Sequence, residues 1–458
     1  MLVKRTLIFI FICTIIFSQD AEKLCNQAES QLLSGDLENA ELSFNASLQL
    51  DQTYAPALKG LSKLYLYKGN IKKASTYAKN ATTSDNDFRP WSDQILKLGT
   101  DMGSGKSNTD KRLYNEAIRV YESIIKEHPY YSDAYFYLGY NHYKNGDIDS
   151  ASKNFVKARE IYSDHKNAGV MLGNITKKFL NEGNKAYKNR DIGTAKEKYL
   201  TALKYDPNFA KSYYQLGVIE KASGNTKLAE EYLEKAKELN PENHKIWFVL
   251  GNVYEIDRKI DRAIENYKKA IELKYDYSKA YGNLGKLLYQ EKQEFKEAER
   301  VLKEVTQFDN KYANGFMHLG MVYKTQALSI KKQIDNGNLP EEKIKAVKSN
   351  YLKAIDYLSK SVELDSSNYE NFNHLAESYF SVENWNKVIF VAKKSVDIKN
   401  SEKQNGTAYY YWAVAELNKS KGNKSGRSRA LNLFEKAKSD KKWRKAAEKN
   451  IYDIKNPK

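Results

Sequence analysis

Cysteine is almost missing from this sequence: two residues in 458, Cys13 and Cys25. Cys13 sits inside an N-terminal apolar run. A chain that sheds the run keeps one thiol, cannot form an internal disulfide, and must be stable without crosslinks. Histidine is also sparse, with six residues scattered along the chain, and there is no HExxH and no paired CxxC. No G-x-S-x-G lies on a strand-turn-helix pattern, and no stretch reads as parallel sheet. These absences remove the usual signatures of metallohydrolases, thiol redox enzymes and serine hydrolases, so no enzymatic activity is expected. Long hydrophobic runs are lacking too. Thr6 to Phe17 is unbroken apolar sequence, but about a dozen residues fall short of the roughly 20 that a membrane-spanning helix needs.

That run follows Lys4 and Arg5 and ends at Ser18, which is the layout of an export signal. Residues 1–18 are therefore expected to direct the chain to a periplasmic or extracellular location, with cleavage before Gln19. An uncleaved N-terminal anchor is the alternative. Ile12 and Leu24 precede the two cysteines where a bacterial lipoprotein signal would have a small residue, so lipid attachment is not expected.

Hydrophobic residues make up 41% of the chain, enough for a real core, and the net charge is +17. The charge is uneven. From Lys419 to Ala446 eleven Lys/Arg face only Glu435 and Asp440, so about half of the excess lies at one end.

The strongest signal is self-similarity. Segments beginning at Thr176, Ala210, His244 and Ser278 align with a period of 34, the fourth carrying one extra residue. Each has an aromatic at position four (Phe179, Tyr213, Trp247, Tyr281), Gly at position eight (Gly183, Gly217, Gly251, Gly285) and Ala in its second half (Ala195, Ala229, Ala263, Ala298). Positions four, eight and eleven form one stripe of a helix. Gly or Ala where two helices cross lets them approach, and Asp206-Pro207 or Asn240-Pro241 ends the second helix. Each unit is thus a helix hairpin that must stack on its neighbours to bury its apolar face.

In these positions the chain resembles the tetratricopeptide-repeat family. Copies extend upstream to Ala21 and downstream through Tyr409-Ala413 and Ala430-Phe434, about eleven in all, some degenerate. The resemblance implies an all-α fold, a right-handed superhelical solenoid over 19–439, with 440–458 as a capping helix and basic tail. Period breaks are expected near 99–112, near 328–349 (two lengthened helices with a turn at Asn336-Gly337) and near 419–429.

The first break contains GTDMGSGKS, Gly99 to Ser107, whose end looks like a phosphate-binding loop. Such a loop needs a glycine five residues before Gly105, where Thr100 stands, and a preceding strand. Trp91 to Leu98 has helical spacing instead. The stretch is expected to be a mobile loop that binds no ATP. His318 and His374 occupy position six of successive repeats, but two isolated imidazoles without a carboxylate hold a metal poorly. No cofactor or metal is expected.

Positions two, six and nine lie roughly opposite the core stripe at about 100° per residue. The resemblance implies that this outward stripe lines a concave groove where Lys and Asn hold peptide carboxylates and amides. The residues concerned are Lys177, Asn181, Asn184, Lys211, Tyr214, Gln215, Lys245, Asn252, Lys279, Asn283 and Lys286, with Tyr137 and Tyr140 adding aromatic area. The implied function is a scaffold for an acidic or extended protein or peptide partner. A competing expectation is an envelope-assembly or surface factor. It would meet anionic polymer or lipid through Lys419, Lys421, Lys424, Arg427, Arg429, Lys441, Lys442, Arg444 and Lys445. Base-stacking and groove-reading elements are not recognisable, so nucleic acid is not an expected partner.

Overall fold

A computed structural model describes residues 19–332, 340–421 and 423–456. The expected export signal, the turn at Asn336-Gly337 and the end of the basic tail lie outside the described residues. Two compact units divide the chain, one through Ser212 and one from Tyr213.

The first unit stacks five antiparallel hairpins. They are α1 (19–33) with α2 (Leu37–Leu50), α3 (Ala55–Tyr67) with α4 (Ile71–Ser84), α5 (Arg89–Asp110) with α6 (Tyr114–Glu127), α7 (Ser132–Lys144) with α8 (Ile148–Ile161), and α9 (Lys166–Lys188) with α10 (Ile192–Tyr205). Two of the turns inside the hairpins show the mechanism most fully. Gly35 and Gly146 take positive φ after the first helix, and the next residue's N–H returns to a carbonyl five residues back. The side chain of that next residue, Asp36 or Asp147, then caps the second helix by accepting from Asn39 N or Ser150 N. A left-handed stop and a carboxylate cap are thereby placed in adjacent residues.

Helix contact is set by a glycine under a ring. A Cβ on Gly183 would lie 2.5 Å from the Tyr199 ring, so only glycine lets α9 and α10 meet there. Tyr199 is fully buried as a result. Burial of a large apolar side chain of this kind stabilises by about 1.5–3 kcal/mol.

The same contact corrects the expected loop at 99–112. Gly105 faces Tyr121, 2.7 Å from a built Cβ, at the sixteen-residue spacing of Gly183 to Tyr199. GTDMGSGKS is therefore helical, inside α5, and Gly105 is the eighth position of a repeat in phase. Ile95, Leu98 and Gly105 form its buried stripe, with Met102 packed on the same cluster. The surplus residues precede the repeat as extra N-terminal turns on α5. A second such extension, unforeseen in the sequence, begins α9 at Lys166, ten residues ahead of Thr176. His165 caps it: its Nδ1 accepts from Ala168 N at 3.3 Å while Nε2 donates to Asp133 at 3.0 Å.

The second unit contains α11 (Ala210–Ala222, whose first turn carries the unit boundary), α12 (Thr226–Leu239), α13 (His244–Ile256), α14 (Ile260–Leu273), α15 (Ser278–Leu287) and α16 (Phe295–Phe308). It continues with α17 (Ala313–Lys332), α18 (Glu341–Leu364), α19 (Tyr369–Ser381), α20 (Trp385–Ile398), α21 (Gly406–Lys419), α22 (Lys424–Ala437) and α23 (Arg444–Lys455). The extra residue of the fourth aligned copy is absorbed as a π turn, Leu288–Lys292, that closes in a left-handed Gln293. A π turn is the usual way to fit one residue too many without breaking helix phase. The break near 328–349 lengthens α17 and α18 to 20 and 24 residues. Near 419–429, α21 runs to Lys419 and α22 starts at Lys424, where Asn423 caps Gly426 N at 2.9 Å. Most of the expected insertion is thus helix. The end is closed by α23, where Trp443 stacks on Tyr410 at 4.3 Å and donates to Thr407 at 2.8 Å. Among the described residues no helix is long and apolar enough to cross a membrane.

Candidate functional site

The outward stripe of the first helices splits in two. At position two, Lys177 and Lys211 in the first unit and Lys245 and Lys279 in the second are all exposed. None has an ion-pair partner within 4 Å among the described residues, in contrast to the many lysines that do. Asn181 is exposed as well.

Asn181 apart, positions six and nine behave differently, because they turn towards neighbouring helices. Asn252 and Asn283 are half-buried and joined, Asn283 Nδ2 donating to Asn252 Oδ1 at 2.9 Å. The Tyr267 hydroxyl donates to Asn252 at 2.8 Å, and Asn283 also approaches that hydroxyl at 3.2 Å. Lys286 makes an ion pair with Glu255. Asn184 accepts from Tyr199 at 2.8 Å, closing its own hairpin. Tyr214 and Gln215 are half-buried. Tyr137 stacks on Tyr121 at 5.6 Å, and Tyr140 lies beside Phe136. These amides and Lys286 already hold internal partners, so a ligand would have to displace them. Free positive charge resides at position two.

Sequence reasoning missed a ladder of cross-repeat polar contacts in the second unit. It continues from the Glu255–Lys286 pair through Tyr289 and His318, whose hydroxyl and Nδ1 lie 3.2 Å apart. Further on, Lys324 is buried, ion-paired to Glu377, with Nζ 3.3 Å from His374 Nδ1. The two histidines considered as metal ligands thus bond separately to Tyr289 and Lys324. Among the described residues no group of three or more His, Cys, Asp or Glu could hold a metal ion. The Glu255–Lys286 signal was in principle readable, as position twelve of one repeat facing position nine of the next.

Burial holds His318 neutral and pushes its pKa down to about 4. Burial first, then Lys324, pushes His374 down to about 3. In the unfolded chain each imidazole would take a proton below about pH 6.5. Stability is therefore lost as pH falls from about 6.5 towards the folded-state values, by up to about 1.4 kcal/mol per pH unit for each histidine. Between pH 7 and 5 the thermal midpoint of the wild type should fall more steeply than that of His318→Gln. Equal slopes would contradict this assignment.

The basic end is mostly uncompensated. Lys419, Lys421, Lys424, Arg427, Lys441, Lys442, Arg444 and Lys445 are exposed. Arg429 is tied to Glu416 at 2.8 Å, and Lys438 to Glu435 at 2.7 Å. Lys442 lies over the Trp443 ring, 5.1 Å from its centroid.

A tetratricopeptide-repeat family model matches residues 210–243 and 244–277. A TPR repeat-containing protein of Methanocaldococcus jannaschii is 26% identical over 255 residues, 54% of this chain and 42% of that protein. DnaJ homolog subfamily C member 7 of Homo sapiens is 28% identical over 196 residues, 42% of this chain and 33% of that protein. The chain spans less than half the length of these curated relatives. Among solved structures, a tetratricopeptide repeat protein from Parabacteroides merdae aligns with a TM-score of 0.43 at 14% identity, covering 62% of this chain and all of that one. Yeast Tom70 aligns with a TM-score of 0.40 at 15% identity, covering 89% of this chain and 91% of that one.

Proposed function

We propose, from the premise that this chain is a tetratricopeptide-repeat protein, that it is a non-enzymatic scaffold in which the position-two lysines of each unit hold acidic, extended sequence of a protein partner. Tetratricopeptide-repeat proteins in general act as protein-interaction scaffolds. The observation that carries the finer reading is the contrast in how lysine is used. Lys286 and Lys324, which also lie on first helices, are neutralised by Glu255 and Glu377. Lys177, Lys211, Lys245 and Lys279 recur every 34 residues, exposed and without an ion-paired carboxylate among the described residues. Helices fixed by packing present that charge at little ordering cost. Affinity capture from the native extract should lose its specific partners when all four become Glu. An unchanged partner set would refute the lysine assignment.

A second reading rests on the basic end, where eight exposed Lys/Arg between Lys419 and Lys445 have no ion-pair partner among the described residues. In this reading the chain is exported and touches anionic polymer or lipid. Changing Lys421, Lys424, Arg427, Lys441, Lys442, Arg444 and Lys445 to Gln keeps α23 packed and should abolish sedimentation with anionic vesicles. Retained sedimentation would exclude the charge mechanism. Export itself is checked by the mature N-terminus, expected at Gln19.

A further inference from the structure

We propose that the cleft between α20, α21 and α22 is a binding site for a small organic anion, a carboxylate carried on an apolar body of about ring size. This site is independent of the position-two lysines. The cleft has a volume of about 490 Å³, within the range of small-molecule sites, which combine an apolar lining with a few placed polar groups. Val396, Trp412 and Leu433 supply the apolar lining.

The charge is one-sided. Glu416 is the one carboxylate among the described residues lining the cleft, and both its oxygens are taken. Trp412 Nε1 donates to one at 3.1 Å, and Arg429 Nε donates to the other at 2.8 Å. Arg429 spends NH1 on Ser425 at 2.7 Å. Lys436 also lines the cleft, its Nζ 5.5 Å from the Tyr409 ring centroid, and Lys393 Nζ lies 5.1 Å from that of Trp412. Neither lysine has an ion-pair partner among the described residues. Two ammonium groups therefore rest on aromatic faces, where a cation gains only about 0.5–1 kcal/mol at an exposed site. A carboxylate would be a stronger partner.

The corresponding cleft between α14, α15 and α16 shows that this charge is not a property of the hairpin. There Glu272, Glu297 and Glu304 line the walls with Lys268 and Arg300, and Arg300 is engaged by Glu297 at 2.7 Å and Glu304 at 3.4 Å. The same architecture is acidic in one repeat and basic in the other.

The carboxylate could come from a free organic acid or from the apolar C-terminal residue of a peptide. Calorimetry on the full chain should compare phenylacetate with phenylacetamide, and a Gly-Gly-Gly-Phe peptide with its C-terminal amide. Each acid is expected to bind at least tenfold more tightly than its amide, and the tighter acid identifies the source. Lys436→Gln and Lys393→Gln should each weaken the acid several-fold, whereas Arg300→Gln in the other cleft should not. Equal affinity of acid and amide, no saturable binding of either acid, or indifference to both lysine variants would overturn the proposal.

Discussion

Glu377→Ala is expected to destabilise the second unit by about 1–3 kcal/mol, the cost of leaving a buried donor without its partner, and less than a fully buried ion pair would lose because the Glu377 side chain is 26% exposed. The reason is the position of Lys324, whose side chain is 5% exposed while its ammonium pairs with Glu377. Truncation leaves that ammonium inside the protein with the His374 ring nitrogen at 3.3 Å as its remaining partner among the described residues. An imidazole offers one lone pair and no charge, so it cannot offset the lost solvation. Lys324→Met combined with Glu377→Leu removes both charges and should recover most of the loss, since an apolar replacement of a buried pair is often neutral. Hydrogen exchange of α17 and α19 would report this locally, which matters because repeat arrays need not unfold in one step. Equal destabilisation by the single and the double variant would show that side-chain volume, rather than an orphaned charge, is what counts.

The second large effect lies within GTDMGSGKS and has opposite signs two residues apart. Gly105→Val should cost about 1–3 kcal/mol or more. Its Cβ would lie 2.7 Å from the Tyr121 ring, and overpacking of a close-packed helix contact costs about this much. Gly103 has nothing within 4 Å of a built Cβ. Gly103→Ala should therefore stabilise α5 by about 0.5–1 kcal/mol through helix propensity alone. Thermal midpoints of the two variants should move in opposite directions. In a mobile loop neither substitution would matter, so two unchanged midpoints would contradict the helix.

That contrast also shows what could be read in the sequence. From Thr176 to Asn310 the phase was legible because Gly183, Gly217, Gly251 and Gly285 recur with a partner sixteen or seventeen residues later, a spacing that helix contact enforces. The same spacing from Gly105 to Tyr121 was present, but three glycines and two serines in nine residues read as a loop. Propensity favours that reading, and burial of Ile95, Leu98 and Gly105 on one face overrides it. The turns on α9 before Thr176 were hidden because an extension at a helix start leaves the repeat downstream in phase. At the candidate site, exposure of the position-two lysines was legible from helix geometry. The neutralisation of Lys286 was legible only through the repeat register, because its partner Glu255 lies 31 residues away on another helix. The Lys324–Glu377 pair was further obscured, at 53 residues, by the lengthened α17 and α18.

The proposed scaffold function rests on the attraction of the position-two lysines for acidic sequence. Titration of an extended Glu-rich peptide into the wild type and into the variant with Lys177, Lys211, Lys245 and Lys279 all changed to Glu measures this directly. The wild type should bind with an affinity that falls as salt is raised, because exposed charges are screened over about 8–10 Å. The variant should bind at least tenfold more weakly. Equal affinity for both proteins would contradict the account.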